Sequence, residues 1–303
     1  GVGVACGGLV SHLRERMPHA ARKFASPASG IGWWPMAPAI GVLVFAATSS
    51  PGHLWSTEFG GYDALSYHLA LPRDWRDFGA MTPIATNAYA YLPSWIEGGF
   101  LHLFALGGDS TLMGLRAQLL HALITLVTAW CGAEVARGVA RAFIDSARAD
   151  CDALASLAAL IAATVTLATP WVIVTGSMAY NEMGAALGGV ALLLVCGAPL
   201  SLRSRGALLG VCGALMVGSK LSAGVLLLPA VAVLVLVGAD WRRHQSALGA
   251  LMTMLMSAGV AALIALLLCA PWLLRNWIAT GNPLFPFASG LLGAGAWSAD
   301  QIE

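Results

Sequence analysis

The sequence predicts an all-α protein, a polytopic transmembrane helical bundle of about seven spans plus a partial one. Of its 303 residues, 58% are hydrophobic and only 10% are charged, and the mean hydropathy is +0.76. A soluble domain carries about 25% charged residues, so this chain has too few charges to cover a globular surface in water. Its apolar residues also occur in runs close to the roughly 20 residues that a helix needs to cross a bilayer. Together these observations indicate an integral membrane protein.

The remaining composition excludes several other classes of protein. The net charge is +1 and no basic tract occurs, so we expect no nucleic-acid partner. The six cysteines are scattered without a CxxC spacing, which predicts buried packing residues and neither a disulfide framework nor a metal site. The chain opens on "GVGVACGGLV", which is typical of the end of a helix. We therefore expect a fragment of a longer protein, with one transmembrane domain over residues 1–303 that is incomplete at both ends.

The apolar runs predict the individual spans. The long run 206–237 is interrupted by "GSKLS", and we expect it to form two short helices that meet near Lys220. The other candidate spans are 35–50, 111–133, 153–175, 183–199 and 247–273.

The basic residues predict the orientation of these spans. Most of them fall in alternate connections: Arg14, Arg16, Arg22 and Lys23; Arg137, Arg141 and Arg148; Arg203 and Arg205; Arg242 and Arg243. Alternate crossings place all four groups on one face, which the positive-inside rule makes cytoplasmic. We therefore expect a multi-pass protein of the inner (cytoplasmic) membrane, with residues 51–110, 176–182, the Lys220 turn and 274–303 on the extracytoplasmic face.

The first outward loop, residues 51–110, is too long to be a simple connector. Residues 63–79 and 93–106 each carry apolar side chains at helical spacing, with Pro72 and Pro83 as breaks. This pattern predicts two interfacial helices that lie on the membrane surface.

Three polar residues cluster at the start of this loop. If residues 62–71 are helical, Asp63 and Tyr67 lie one turn apart on the same face, with His68 beside them. A carboxylate at an apolar boundary becomes a stronger proton acceptor, as a general base requires. The residues alone leave open a second interpretation, in which Asp63 caps the helix while Tyr67 and His68 anchor it at the interface.

A second polar cluster, Tyr180, Asn181 and Glu182, stands at the outward entrance of the span 183–199. Glu182 can act as an N-terminal acid favoured by the helix dipole. It can equally be a second carboxylate that lines an active cavity. The residues do not decide between these roles.

Two cations complete the candidate site. A helix over 206–218 rises only about 20 Å, so we expect Lys220 near membrane depth, where ionisable groups face a cavity or a partner. Snorkelling to the interface is the alternative. Arg275 follows Pro271 and Trp272 on the outward side, against the positive-inside bias, and its guanidinium suits a phosphate. A salt bridge to Asp63 or Glu97 is the alternative for Arg275.

Five segments, in this order, resemble the GT-C superfamily of polytopic glycosyltransferases, above all the bacterial dolichyl-phosphate-mannose and aminoarabinose transferase types. The resemblance covers roughly residues 35–290. It is carried by "YDALSYHLALPRDW", "NAYAYLPSWIEGGFLHLFALGGD", "TPWVIVTGSMAYNEMG", "GALMVGSKLSAG" and "PWLLRNWIATGNPLFPF".

The resemblance implies a transfer of a sugar, with inversion, from a polyprenyl-phosphate donor to a glycan, lipid or protein acceptor at the outer bilayer face. Asp63 would be the general base, with Glu97 and Glu182 as further catalytic acids. The predicted substrate-binding residues are Tyr67, His68, Asn87, Tyr89, Tyr180, Asn181, Lys220 and Arg275. Many members carry paired acids where Ala64 follows Asp63 here, so no cofactor is certain and a divalent metal stays open.

Two other functions fit parts of the sequence. A secondary transporter would use the broken pair of helices around Lys220 as a midplane binding site. A cofactor-binding subunit would use His68, His102 and His121 as ligands, although a lone histidine in a helix is more often a hydrogen-bonded packing residue.

Overall fold

The computed structural model describes residues 32, 34–55, 61–144, 149–198, 200–224, 247–295 and 297–298. These residues form helices joined by turns and loops, which confirms the predicted all-α class. A π-helical turn covers Ala64–His68, and 3₁₀ turns cover Trp34–Met36 and Ala88–Tyr91. The α-helices are α1 (Ala37–Ala47), α2 (Ala70–Phe78), α3 (Trp95–Phe104), α4 (Ser110–Phe143), α5 (Cys151–Ala168), α6 (Pro170–Ser177), α7 (Glu182–Gly197), α8 (Leu202–Ser219), α9 (Ala247–Thr280) and α10 (Ser289–Leu292).

Within the described residues, three helices are long and apolar enough to cross a membrane: α4, α5 and the Leu251–Thr280 part of α9. A fourth crossing is available if α6 and α7, which meet at a bend of 116°, count as one broken span. The expectation of about seven spans is therefore wrong for the described part of the chain. The partial span at the N-terminus and the run 225–237 lie outside the described residues.

Two of the predicted spans differ for local reasons. The run 35–50 folds as the 11-residue helix α1, which rises only about 17 Å at 1.5 Å per residue, well short of a bilayer core. The run 153–175 is divided at Thr169, whose backbone is extended, and a new helix begins at Pro170. Proline is favourable at the first position of a helix but clashes with a preceding turn, so one helix ends and another begins there.

The helix α8 also falls outside the spanning set, since its first turn holds Arg203 and Arg205. It nevertheless packs closely on two neighbours. Gly188 of α7 lies directly against Met216 and Cys212 of α8, and Gly210 of α8 lies against Ala261 and Ile264 of α9. The small residues let these helix backbones approach each other, as is common in membrane bundles.

Four of the basic residues that predict the orientation, Arg137, Arg141, Arg203 and Arg205, lie at one end of this bundle, which we call the distal end, and the others of that set lie outside the described residues. At this end Arg141 of α4 bonds Asp152 of α5 at 2.9 Å, and Arg205 of α8 bonds the carbonyl of Ala198 at 3.3 Å. The opposite end carries Glu182 at the start of α7 and Lys220 after α8. The described residues thus separate the basic loops from the polar cluster, as the sequence predicts. Which membrane face each end occupies stays a prediction.

The two helices predicted in the loop 51–110 are present, as α2 with its preceding π-helical turn and as α3. The helix α3 packs on the bundle, with Phe100 and Phe104 buried against Met113 and Ala117 of α4, and α2 packs beside Leu101 of α3. Trp75 of α2 is fully buried, and its indole donates to the carbonyl of Thr82 at 2.8 Å. These helices therefore form a packed cap over one end of the bundle, which positions the candidate site.

The Gly188 contact gives a test of this packing. A Cβ at Gly188 would lie 2.6 Å from Met216 Cγ and 2.9 Å from the Cys212 carbonyl oxygen, so Gly188→Ala should destabilise the fold by about 1–3 kcal/mol. The matched control is Gly189→Ala, where the nearest atom is Met216 Cε at 3.8 Å, and helix propensity predicts a gain of up to about 1 kcal/mol. Thermal unfolding in detergent would measure both, and equal stability of the two variants would contradict the close approach.

Candidate functional site

The candidate site forms where five short segments meet at the capped end of the bundle. They are the π-helical turn, the segment Asn87–Leu92, the start of α3, the break before α7 and the residue after α8. Most of the predicted site residues come together here, although they are far apart in the chain.

Glu97 and His68 form the buried centre of the site. Glu97 Oε1 lies 2.6 Å from His68 Nδ1, and both side chains are less than 5% exposed. Glu97 Oε1 also accepts a hydrogen bond from Asn181 Nδ2 at 3.1 Å. The ring of His68 in turn lies beside Tyr180, with centroids 5.2 Å apart. One carboxylate oxygen therefore joins the cap, α3 and the break between α6 and α7.

Glu182 and Lys220 form the second pair. Lys220 Nζ lies 2.5 Å from Glu182 Oε1, and the lysine side chain remains 43% exposed. Glu182 Oε2 also accepts from the backbone N–H of Asn181 at 3.3 Å. Lys220 is the C-cap residue of α8, and its backbone is extended, so the helix ends there. The sequence predicts that Lys220 faces a cavity or a partner, and the structure gives it a partner in the Glu182 carboxylate, 38 residues earlier in the chain.

Asp63 and Tyr67 lie one turn apart on the same face, as predicted, and the Asp63 carboxylate is near enough to act electrostatically on the Tyr67 hydroxyl. Within the described residues Asp63 makes no capping hydrogen bond from its side chain, so the capping interpretation finds no support. Burial, and then the neighbouring Asp63 carboxylate, raise the pKa of Tyr67 well above its ordinary value of 10.0. The π-helical turn brings this pair into the site, and such turns are frequent at functional positions.

Tyr67 also stacks on Tyr89, with ring centroids 3.9 Å apart and planes within 10°. Asn87 holds this arrangement in place from the neighbouring turn. Its side-chain oxygen accepts from the Tyr89 backbone N–H at 3.1 Å, and its amide donates to the Ser66 carbonyl at 3.4 Å. Asn87 is therefore a supporting residue in this structure, while the two tyrosines form an aromatic wall.

These groups surround one cavity of about 200 Å³, which we call the polar cavity. Its lining includes the predicted residues Tyr67, Tyr89, Glu97, Asn181 and Lys220. Asp63, His68 and Glu182 each contact a lining residue. The sequence did not single out Ser94, Ser219 or Phe287, which also line the cavity. The position of Ser219 beside Lys220 in "VGSKLS" was the only available signal for it.

Arg275 occupies a different place from the one expected. Its guanidinium donates to the carbonyl oxygens of Ala90 at 2.8 Å and Leu92 at 3.3 Å, and it contributes no lining to the polar cavity. Trp272 and Asn276, on the same helix, both bond the Tyr91 carbonyl. Arg275 thus clamps the 3₁₀ turn, and its partners are backbone carbonyls where the sequence left open a salt bridge to Asp63 or Glu97.

The histidines proposed as cofactor ligands each have a protein partner: His68 pairs with Glu97, and the other two bond backbone groups. His121 is fully buried, with Nδ1 at 2.8 Å from the Met178 carbonyl and Nε2 accepting from the Met183 backbone N–H at 3.3 Å. His102 bonds the carbonyl of Gly98 one turn earlier. Among the described residues no three His, Cys, Asp or Glu side chains are grouped as they would be in a metal site.

Comparisons with protein-family models, with curated proteins and with solved structures found no match to this chain. The resemblance to GT-C glycosyltransferases, drawn from ordered sequence segments, therefore stays a prediction. The chemistry of the polar cavity is what the structure adds to it.

The Asp63–Tyr67 contact predicts an unusual titration. Tyr67 should remain protonated at roughly pH 11, where an exposed tyrosine of pKa about 10 is mostly ionised. The tyrosinate absorbance at that pH should therefore be the same in wild type and Tyr67→Phe, once circular dichroism has shown that both are folded. If the tyrosinate absorbance of Tyr67→Phe were lower than that of wild type by the amount of one tyrosine, the buried position of Tyr67 beside a carboxylate would be contradicted.

The same contact predicts the effect of a partner variant. Asp63→Asn removes the negative charge beside Tyr67, so it should bring the titration of Tyr67, followed by tyrosinate absorbance, back toward the ordinary range. Asp74→Asn is the matched control, because Asp74 is a partly exposed acid in the same segment whose partner is the adjacent Arg73.

Proposed function

We propose that this protein is a membrane glycosyltransferase that moves a sugar from a polyprenyl-phosphate donor to a hydroxyl of a glycan, lipid or protein acceptor. The observation that supports it best is the polar cavity, which combines carboxylates, a lysine and an aromatic wall at one end of apolar helices. A lipid-linked substrate needs such a site, because its chain stays in the bilayer while its polar head reacts at the membrane surface.

In this proposal Lys220 binds the donor phosphate. An ammonium group has three N–H donors, and one of them is used by Glu182. The exposure of the lysine leaves it accessible to a ligand in the cavity. A cation placed at the phosphate stabilises the negative charge that develops as the phosphate leaves the sugar. Arg275 then has an indirect role, since it holds the turn that carries Ala90 and Leu92.

Asp63 is the general base of the proposed reaction. The acceptor oxygen forms a bond to the anomeric carbon as the bond from that carbon to the donor phosphate breaks. The acceptor's proton passes to Asp63, and attack opposite the leaving phosphate inverts the anomeric centre. The Asp63 carboxylate neighbours Tyr67, which lines the cavity, so the acceptor hydroxyl is placed beside this tyrosine.

The orientation in this proposal follows from the charges. The distal end carries Arg137, Arg141, Arg203 and Arg205. The positive-inside rule favours the cytoplasm for that end and the extracytoplasmic face of the inner membrane for the polar cavity.

A secondary transporter is the second candidate, and one observation favours it. The helices α6 and α7 form a pair bent by 116°, and Lys220 ends another helix beside the bend. Broken helices of this kind build midplane binding sites in transporters. A sealed-liposome assay separates the two functions, because a transporter moves a solute without consuming a lipid-linked donor.

Asp63→Asn should lower sugar transfer by about 100- to 10,000-fold while donor binding is retained, since general-base catalysis contributes on that scale. The measurement uses the full-length protein in liposomes with labelled polyprenyl-phosphate sugars and a membrane acceptor extract. Asp77→Asn, an exposed acid paired with Arg76, should keep wild-type transfer. Equal transfer by wild type and Asp63→Asn would remove Asp63 from the chemistry.

Lys220→Met should weaken donor binding by roughly tenfold or more, because it removes a charge-assisted contact to the phosphate. Binding of the labelled donor to protein in nanodiscs would measure this effect at low and high salt. Glu182→Gln should strengthen donor binding or leave it unchanged, since it frees Lys220 from its partner. Unaltered donor binding in Lys220→Met would contradict the phosphate role.

A further inference from the structure

Two buried polar atoms without a hydrogen-bond partner in the described residues belong to residues that line the same cavity. They are Glu97 Oε2 and Ser219 Oγ. The two residues are 3% and 1% exposed, respectively. Leaving such a group without a partner costs about 1–3 kcal/mol, and more when the group is charged. Other buried side-chain atoms without a partner occur among the described residues, Ser66 Oγ and Ser257 Oγ among them, but Glu97 and Ser219 are the two such residues that line one cavity, where a ligand can supply the missing bonds.

The first atom has a defined chemical requirement. Glu97 Oε1 already accepts from His68 Nδ1 and from Asn181 Nδ2. The second oxygen of the carboxylate, Oε2, is therefore the one that needs a donor from outside the described protein groups. A carboxylate oxygen only accepts hydrogen bonds, so a ligand group that pairs with it is a donor such as a hydroxyl or an ammonium group.

The second atom adds a separate requirement. A serine in a helix commonly bonds the carbonyl of the preceding turn, and Ser219 Oγ does not do so. Gly184 packs against it closely, since a Cβ at Gly184 would lie 2.7 Å from this oxygen. A hydroxyl can donate or accept, so Ser219 can pair with a second hydroxyl of the same ligand.

The remaining walls limit the size and the polarity of that ligand. The cavity volume of about 200 Å³ lies below the roughly 300 Å³ at which pockets for drug-sized ligands begin. The stacked rings of Tyr67 and Tyr89 supply an apolar wall for C–H groups. A single ring that carries several hydroxyl groups and an aliphatic face fits these requirements.

We propose that the polar cavity is a subsite for one sugar ring, whose hydroxyl or ammonium group donates to Glu97 Oε2 while a second hydroxyl pairs with Ser219 Oγ. Naming the ligand as a sugar rests on the proposed function, whereas the need for hydrogen-bond donors rests on the two unpartnered atoms. Glu97 is then a residue that binds and orients the sugar, and the chemistry is left to Asp63.

Glu97→Gln tests the donor requirement. The glutamine oxygen can replace Oε1 as the acceptor for His68 and Asn181, which places the amide N–H₂ where Oε2 was. The hydroxyl or ammonium group of the ligand then faces another hydrogen-bond donor, the glutamine amide. Sugar binding should therefore fall roughly ten- to a hundredfold while the fold is kept. Ser219→Ala serves as the second variant, in case the glutamine protein does not fold.

Ser219→Ala separates binding from stability. Because the hydroxyl has no protein partner, its removal should leave thermal stability unchanged or slightly raised, yet weaken sugar binding roughly fivefold or more. Ser257→Ala is the matched control, since Ser257 is also a buried serine whose hydroxyl has no partner in the described residues, but it lies on α9 away from the cavity. Ser257→Ala should bind sugars like wild type.

The experiment is ligand-observed NMR on the full-length protein in lipid nanodiscs, because detergents with sugar head groups would compete. The probes are methyl glucoside, glucosamine and a fully O-methylated glucoside that has the same ring but no hydrogen-bond donors. We expect binding of methyl glucoside or glucosamine, weakened in Glu97→Gln and Ser219→Ala, and no binding of the methylated probe. The relative affinities of the first two probes distinguish a hydroxyl from an ammonium donor.

Three outcomes would overturn the inference: equal affinity for the methylated probe, unchanged binding in both cavity variants, or binding of neither methyl glucoside nor glucosamine. The experiment contains no lipid-linked donor and measures no transfer. Sugar binding without transfer in the liposome assay would therefore sustain the subsite and remove the transferase. Transfer in the liposome assay, together with sugar binding that does not depend on the hydroxyl or ammonium hydrogens of the probe, would sustain the transferase and remove the subsite.

Discussion

The buried imidazole of His121 holds together the part of the structure on which the site depends. The chain between α6 and α7 turns through 116°, and backbone groups at such a break have no intrahelical partners. His121 bonds the Met178 carbonyl on one side and the Met183 N–H on the other. The segment between these two contacts carries Tyr180, Asn181 and Glu182. Their positions at the polar cavity therefore follow from one side chain on a neighbouring helix.

A second constraint fixes the opposite wall. Trp272, Arg275 and Asn276 of α9 direct their donors at the carbonyl groups of Ala90, Tyr91 and Leu92. These carbonyls belong to a short 3₁₀ turn and the residue after it, where backbone bonding is incomplete. The last long helix thereby fixes the segment that carries Tyr89 and Leu92 into the cavity lining. Buried backbone groups need partners, and side chains from both His121 and α9 supply them.

The cavity lies between these two supports, and most of its polar side chains are held by hydrogen bonds to protein groups. Glu97 lies at the centre, with one oxygen engaged by His68 and Asn181 and the other without a partner in the described residues. Glu182 and Lys220 neutralise each other at the rim of the site. In the proposed subsite a polar ligand completes the bonding of the second Glu97 oxygen.

Composition and periodicity by themselves determined the all-α class, the helical segments in the loop 51–110, the one-turn spacing of Asp63 and Tyr67, and the separation of Arg141 and Arg205 from the polar end. Each of these depends on residues that are near in the chain or on simple charge counts. The tertiary structure decided that Lys220 pairs with Glu182, that His68 pairs with Glu97, that Arg275 clamps a turn, and that Pro170 divides an expected span. Hydropathy measures length and apolarity but carries no information about which distant backbone and side-chain groups satisfy one another inside the bundle, and that pairing is what places the functional side chains.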